Sequence, residues 1–179
     1  HPVRGLSSID RIALINIQGG GMVGVPGIAQ RVFGCLAKNE ISVIMISQAS
    51  SEHSICFAVT REQAALSRQA LQEEFAAELQ LGLVDAIELV ENQTIIAVVG
   101  EFMRGTPGIS GKLFGALGRH RINVTAIAQG SSERNISLIV DQADSRNAIR
   151  TIHQSFFSTV PGAALYLVGL GRIGATLVQ

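Results

Sequence analysis

Short runs of β-branched and aliphatic residues alternate along this chain with stretches whose apolar positions recur every four residues. "RIALINI" (Arg11 to Ile17) and "TIIAVV" (Thr94 to Val99) read as strands. A glycine-rich loop follows each. Then come two helical faces, Ile28, Val32 and Leu36 in one and Ile109, Leu113 and Leu117 in the other, spaced i, i+4, i+8. Pro26 and Pro107 stand at the expected first helical positions, where a missing N–H costs nothing. Asn39 and the His120-Arg121 pair mark the expected helix ends. "ISVIMIS" with "SICFAV", and "INVTAIA" with "NISLIV", predict two hairpins across polar turns. A second helix comes next, with Leu66, Ala70 and Phe75 expected to face inward, and "LVDAIELV" (Leu83 to Val90) predicts a strand after it.

The same pattern is spelled twice. "GVPGIAQRVFG" and "GTPGISGKLFG" place Pro26 and Pro107 at an offset of 81 residues. Holding that offset from Leu14–Val59 against Ile95–Val140, without a gap, pairs identical residues at 19 of 46 positions, too many for chance. Met22/Met103, Gln48/Gln129 and Ser50-Ser51-Glu52/Ser131-Ser132-Glu133 are among them. Two units, too few for a solenoid, must each nearly close their own core. The order βαββαβ in each predicts an α+β protein made of two ferredoxin-like units in tandem, antiparallel sheets with both helices on one face. The expected boundaries are 11–91 for the first unit and 92–157 for the second.

The second unit has no plain fourth strand after its last helix. "STVPG" opens an expected linker over 158–164. Residues 165–179 then carry Gly169-x-Gly171-x-x-Gly174 between a strand-like run and a helix start, the context of a dinucleotide-binding fingerprint that stops before any ribose-binding acid. The competing reading makes Leu165 to Val168 the missing strand.

Composition narrows the function classes. Apolar residues at 47% and charged residues at 16% support folded cores rather than disorder. No apolar run approaches the ~18 residues of a membrane span. The opening "HPVRGLSSID" lacks both an initiator Met and the apolar core of a signal peptide, so a piece of a longer cytoplasmic protein is expected. Zero net charge, one Tyr and no Trp argue against a nucleic-acid surface. Cys35 and Cys56 have no metal spacing and are expected to be reduced core residues. His1, His53, His120 and His153 are scattered and read as surface positions, and Glu73-Glu74 as a solvated face. No catalytic or metal constellation is visible.

The repeated loop has a chemistry of its own. Glycines before a helix expose backbone N–H groups at the positive end of the helix dipole, a seat for a carboxylate. The Lys-Ser/Thr of a phosphate-binding P-loop is missing. Gln48 and Gln129, at the ends of the second strands, can accept from an ammonium group and donate through their amides. Met22, Ile28 and Val43 supply a small apolar wall. Together these features fit a free amino acid, although glycines that serve only tight turns and close packing would leave the same pattern.

"VIMISQASSEHSICFAV" and "INVTAIAQGSSERNISLIV" resemble the two ACT domains of aspartokinases, and "LVGLGRIGATLVQ" resembles the first strand and helix of homoserine dehydrogenase. The combination is similar to the regulatory region of the bifunctional aspartokinase–homoserine dehydrogenase family. The resemblance implies a non-catalytic module that binds an end-product amino acid, threonine or in other members lysine, and feedback-inhibits the kinase and dehydrogenase. It places effector contacts at Gln48 and Gln129, at Met22, Gly24, Pro26, Gly27 and Ile28, at Gly105, Pro107, Gly108 and Ile109, and at Val43, Asn123 and Val124. It implies no cofactor in this region, ATP/Mg and NAD(P) elsewhere in the parent with Gly169, Gly171 and Gly174 on the nucleotide, and self-association through ACT domains. It also makes the first unit an insertion in the second, whose remaining strand comes from chain before Arg11, part of it upstream of His1. The two loops differ at Gly20-Gly21 against Glu101-Phe102 and at Val23 against Arg104, so inequivalent sites are expected.

Overall fold

The computed structural model describes residues 2–48 and 54–157. The linker, the glycine fingerprint and the alternative strand at Leu165 to Val168 lie outside them. Among the described residues, one compact unit runs from Arg11 to Asn92, and the other joins residues 2–10 with 93–157.

The first unit contains the second half of β1 (Gly5–Gln18), then α1 (Ile28–Lys38), β2 (Met45–Gln48), β3 (Ser54–Thr60), α2 (Arg61–Glu74), the short α3 (Ala76–Gln80) and the first half of β4 (Ala86–Val99). The strand order is β2-β3-β1-β4, with β3 antiparallel to both β1 and β2. Alternation sends Ala13, Ile15 and Ile17 of β1 and Ile55, Phe57 and Val59 of β3 to one face, where Val32 and Leu36 of α1 and Ala64 and Leu71 of α2 join the same core. Both helices therefore cover one face.

The second unit repeats this plan with β5 (Ala126–Gln129), β6 (Asn135–Asp141), α4 (Ile109–Arg119) and α5 (Ser145–Phe157), in the strand order β1-β4-β6-β5. Its ladder from Gln93↔Asp141 to Val99↔Asn135 is the ladder Ile12↔Thr60 to Gln18↔Ser54 moved by the sequence offset. Even the left-handed backbone repeats: Arg11 and Asn92 (φ 60 and 56), and Glu40 and Arg121 (both 56). The strand "RIALINI" is thus a piece of a longer one, and "LVDAIELV" runs into another that begins at Ala86. β1 and β4 each pass from one unit to the other beside a left-handed residue.

Residues 4–10 supply the fourth strand of the second unit. Arg4 N–H donates to the Val99 carbonyl at 2.8 Å, as Asp85 N–H donates to Gln18 in the first unit. Thr94, fully buried, donates its hydroxyl to Asp10 at 2.8 Å, and Val3 and Leu6 enter the core with Ile96, Leu113 and Ile152. The strand expected partly upstream of His1 is present within the chain.

Several local expectations shift. Pro26 and Pro107 precede the helices by two residues, because Gly27 and Gly108 occupy the cap positions with φ 89, a conformation that favours glycine. The hairpin arms begin later than the apolar runs, at Met45 and Ala126. Leu66 is 47% exposed, and Ser67 takes the inward place, its hydroxyl satisfied by the Gln63 carbonyl at 2.7 Å. Cys35 is buried and donates to the Ala70 carbonyl, whereas Cys56 is only half-buried; burial raises both thiol pKa values, so both stay protonated.

Glu74 is not a free solvated face. Arg31 Nε donates to its carboxylate at 2.9 Å and a terminal nitrogen to Glu78 at 2.5 Å, while the guanidinium lies 4.4 Å from the centre of the Phe75 ring. This clamp ties α1 to α2 and α3. The corresponding Lys112 only overlies Phe156, at 5.1 Å. Two partly exposed ion pairs and a cation–π contact stabilise by about 1–2 kcal/mol together, so Arg31→Ala should lower first-unit stability by that amount in urea unfolding. The hydrogen bond from Arg31 depresses the Glu78 pKa, with a backbone hydrogen bond adding to it. A depressed folded-state pKa gives stability that is present above the unfolded value, about 4.3, and is lost as pH falls through the folded value. The gap between wild type and Arg31→Ala should therefore close on acidification below about pH 4. A gap that widened there would contradict the clamp.

Candidate functional site

Two cavities of about 240 Å³ each lie at equivalent places in the two units. The first is lined by Met22, Val25, Pro26, Gly27, Ile28, Ala29, Gln48 and Ile55. The second is lined by their counterparts Met103, Thr106, Pro107, Gly108, Ile109, Ser110, Gln129 and Ile136, and also by Gly111 and by Glu133, whose counterpart Glu52 lies outside the described residues. Each volume falls below the ~300–1,000 Å³ of drug-sized pockets, which suits a smaller ligand.

The local folding of each cavity follows from the glycine loop. After β1 and β4 the chain makes a 3-10 turn, Gly20–Met22 or Glu101–Met103, that buries one methionine. Gly24 and Gly105 (φ 67 and 66) turn the loop without lining the cavity. Gly27 and Gly108 then start helices that no side chain caps. Arg31 N–H and Lys112 N–H close the first helical turns onto the Gly27 and Gly108 carbonyls. The preceding first-turn N–H groups have no intrahelical acceptor, and they face an opening where the helix dipole is positive.

The hairpins complete the wall. Gln48 pairs with Ile55 across β2 and β3, and Gln129 with Ile136 across β5 and β6, which sets each exposed glutamine beside a buried isoleucine. Buried Met22, Ile28 and Ile55, or Met103, Ile109 and Ile136, form the apolar part. The arrangement offers N–H donors, a glutamine amide and a small apolar surface.

Of the residues expected in the site, the cavities bring together Met22, Pro26, Gly27, Ile28 and Gln48, and Pro107, Gly108, Ile109 and Gln129. They do not bring in Val43, Asn123 or Val124. Val43 and Val124 pack, half-buried, against the cores of their units, and Asn123 is exposed. Gly169, Gly171 and Gly174 lie outside the described residues. Glu101, Phe102 and Arg104, the bulky departures of the second loop, do not line its cavity. Phe102 is 59% exposed beneath the Arg4 guanidinium, 5.5 Å from its ring centre.

Glu133 is the residue the sequence reading left without a role. It lines the second cavity, its carboxylate accepts from Gly105 N–H at 2.8 Å, and its backbone is left-handed, φ 52. A non-glycine residue held there stores on the order of 1 kcal/mol or more of strain, and such strain collects at ligand clamps. The repeated Ser-Ser-Glu was the available signal. Thr106 and Ser110 were also missed, because they replace Val25 and Ala29 beside the glycines, proline and isoleucine that the two loops share. Among the described residues no His/Cys/Asp/Glu group could hold a metal, and no helix is long and apolar enough to cross a membrane.

The geometry has counterparts. A family model described as "ACT domain" matches residues 15–75 and 96–156, the two halves of the repeat. The chain is 48% identical over 99% of its length to bifunctional aspartokinase/homoserine dehydrogenase 2, chloroplastic, of Arabidopsis thaliana, and covers 19% of that protein. It is 40% identical, again over 99% of its length, to the bifunctional aspartokinase/homoserine dehydrogenase of Haemophilus influenzae, covering 22% of it. The chain thus spans about a fifth of the length of these relatives. The regulatory subunit of aspartate kinase from Thermus thermophilus, in its ligand-free form, superposes with a TM-score of 0.73 at 28% identity, over 87% of this chain and 99% of that one. Matched by the family model over both halves of the repeat, the chain belongs to the ACT-domain family.

Proposed function

We propose that this ACT pair is the amino-acid sensor of a bifunctional aspartokinase–homoserine dehydrogenase, with threonine as its effector. The observation that carries the reading is the recurrence of one small cavity, with its uncapped helix start and its glutamine, in both units. First-turn N–H groups would receive the effector carboxylate, Gln48 or Gln129 its ammonium, and the methionine and isoleucines its methyl group. Threonine is preferred to lysine because the relatives that match over nearly the whole chain are the bifunctional enzymes.

The catalytic work belongs to other parts of the parent, where ATP/Mg and NAD(P) would act. Effector binding controls those parts only if it binds two global states with different affinity, a coupling usually of ~1–3 kcal/mol. Edge strands β2 and β5 expose Ile46 and Ile127, which supports self-association through the ACT units. Free, protonated Cys35 and Cys56 suit a reducing, cytoplasmic setting. The test is full-length enzyme assayed for both activities with threonine and with lysine. Inhibition of kinase and dehydrogenase by threonine alone is expected. Inhibition by lysine alone would replace the effector, and indifference to both would reduce the pair to an assembly module.

A further inference from the structure

The two cavities have the same volume, the same helix start, the same glutamine and the same methionine–isoleucine–isoleucine floor, so size cannot distinguish their ligands. Their rims differ in chemistry. Val25 and Ala29 of the first become Thr106 and Ser110 in the second. The Thr106 hydroxyl donates its proton to the Phe102 carbonyl at 2.8 Å, which leaves its oxygen lone pairs as acceptors at the cavity rim. Ser110, in the first turn of α4, brings a second hydroxyl.

We propose, resting on the amino-acid reading above, that the second cavity selects α-amino acids whose side chain carries a hydroxyl, through Thr106 and Ser110, while the first accepts the isosteric apolar side chain as readily. Threonine and valine have the same shape and differ by one hydroxyl for one methyl. A pocket of apolar atoms separates such a pair poorly, whereas a pocket with hydrogen-bonding groups loses a bond to the analogue that lacks the hydroxyl. Threonine offers both a methyl and a hydroxyl and so enters both cavities. Valine satisfies only the first.

The test is calorimetric titration of the chain with threonine and valine in Gln129→Ala, which leaves the first cavity intact, and in Gln48→Ala, which leaves the second. The second cavity should bind threonine about tenfold more tightly than valine, and the first should hold the two within about threefold of each other. The double change Thr106→Val with Ser110→Ala should abolish the second cavity's preference without abolishing valine binding. Val25→Thr with Ala29→Ser should install the preference in the first. Equal threonine-to-valine ratios in the two cavities, with threonine bound, would overturn the selectivity and leave the sensor reading standing. No saturable binding of either amino acid to the unaltered chain would overturn both.

Discussion

Replacing Gly100 with alanine is expected to destabilise the second unit by about 3 kcal/mol, the upper part of the overpacking range. A β-carbon there would stand 2.0 Å from the Pro2 carbonyl oxygen and 3.0 Å from the Val3 Cα. Backbone cannot rotate aside as a side chain can, so the incoming segment must move. The φ of Gly100 is −179, extended geometry open to any residue, so the cost is steric alone. Gly19 repeats the arrangement in the first unit, with a β-carbon 2.3 Å from the Leu83 carbonyl oxygen, and Gly19→Ala should cost that unit a similar amount. Gly34→Ala is the control: it lies inside α1 with nothing within 4 Å of an added carbon, and alanine there should be neutral or stabilise by up to about 1 kcal/mol. Urea unfolding gives the stabilities, and amide exchange at Leu6 and Asp10 locates the damage. Wild-type stability and protection in Gly100→Ala would mean that residues 2–10 are not docked on the second unit.

The second large effect concerns binding. Gln48→Ala and Gln129→Ala should each weaken threonine at one cavity by about tenfold to a hundredfold, the scale for losing a hydrogen bond to a charged group. Neither should unfold the chain, since both glutamines are exposed at the ends of four-residue strands. Each variant should keep one class of unperturbed sites. Two variants with wild-type isotherms would remove the glutamines from the site and leave the loop alone to account for any binding.

Much of this was legible because the repeat is written in the core. Ile28, Val32 and Leu36 and their partners 81 residues on fixed the helix faces, and all six are buried. The glycine-proline loop and the two glutamines announced the cavities for the same reason, identity at one offset. What was not legible follows from edges. Residues 2–10 occupy the place that 83–91 hold in the first unit, yet the segments share only Val3/Val84, because few positions of such a strand face the core: Val3 and Leu6 against Val84 and Ile87. On α2, Ala70 and Phe75 face inward as expected, but Leu66 was chosen where Ser67 is buried, since a serine bonded to its own helix looks polar in sequence. Glu133 stayed hidden because its role depends on a hydrogen bond to a loop 28 residues away. The inequivalence of the loops was visible, but at Glu101, Phe102 and Arg104. Among the described residues, the chemical difference at the cavity rim lies in two hydroxyls, Thr106 and Ser110.

The central claim is that each chain carries two amino-acid sites, and isothermal titration of the chain with threonine, with lysine as the control, tests it most directly. Saturable threonine binding at two sites per chain, with lysine silent, is the predicted result. A flat threonine titration of the folded chain would contradict it.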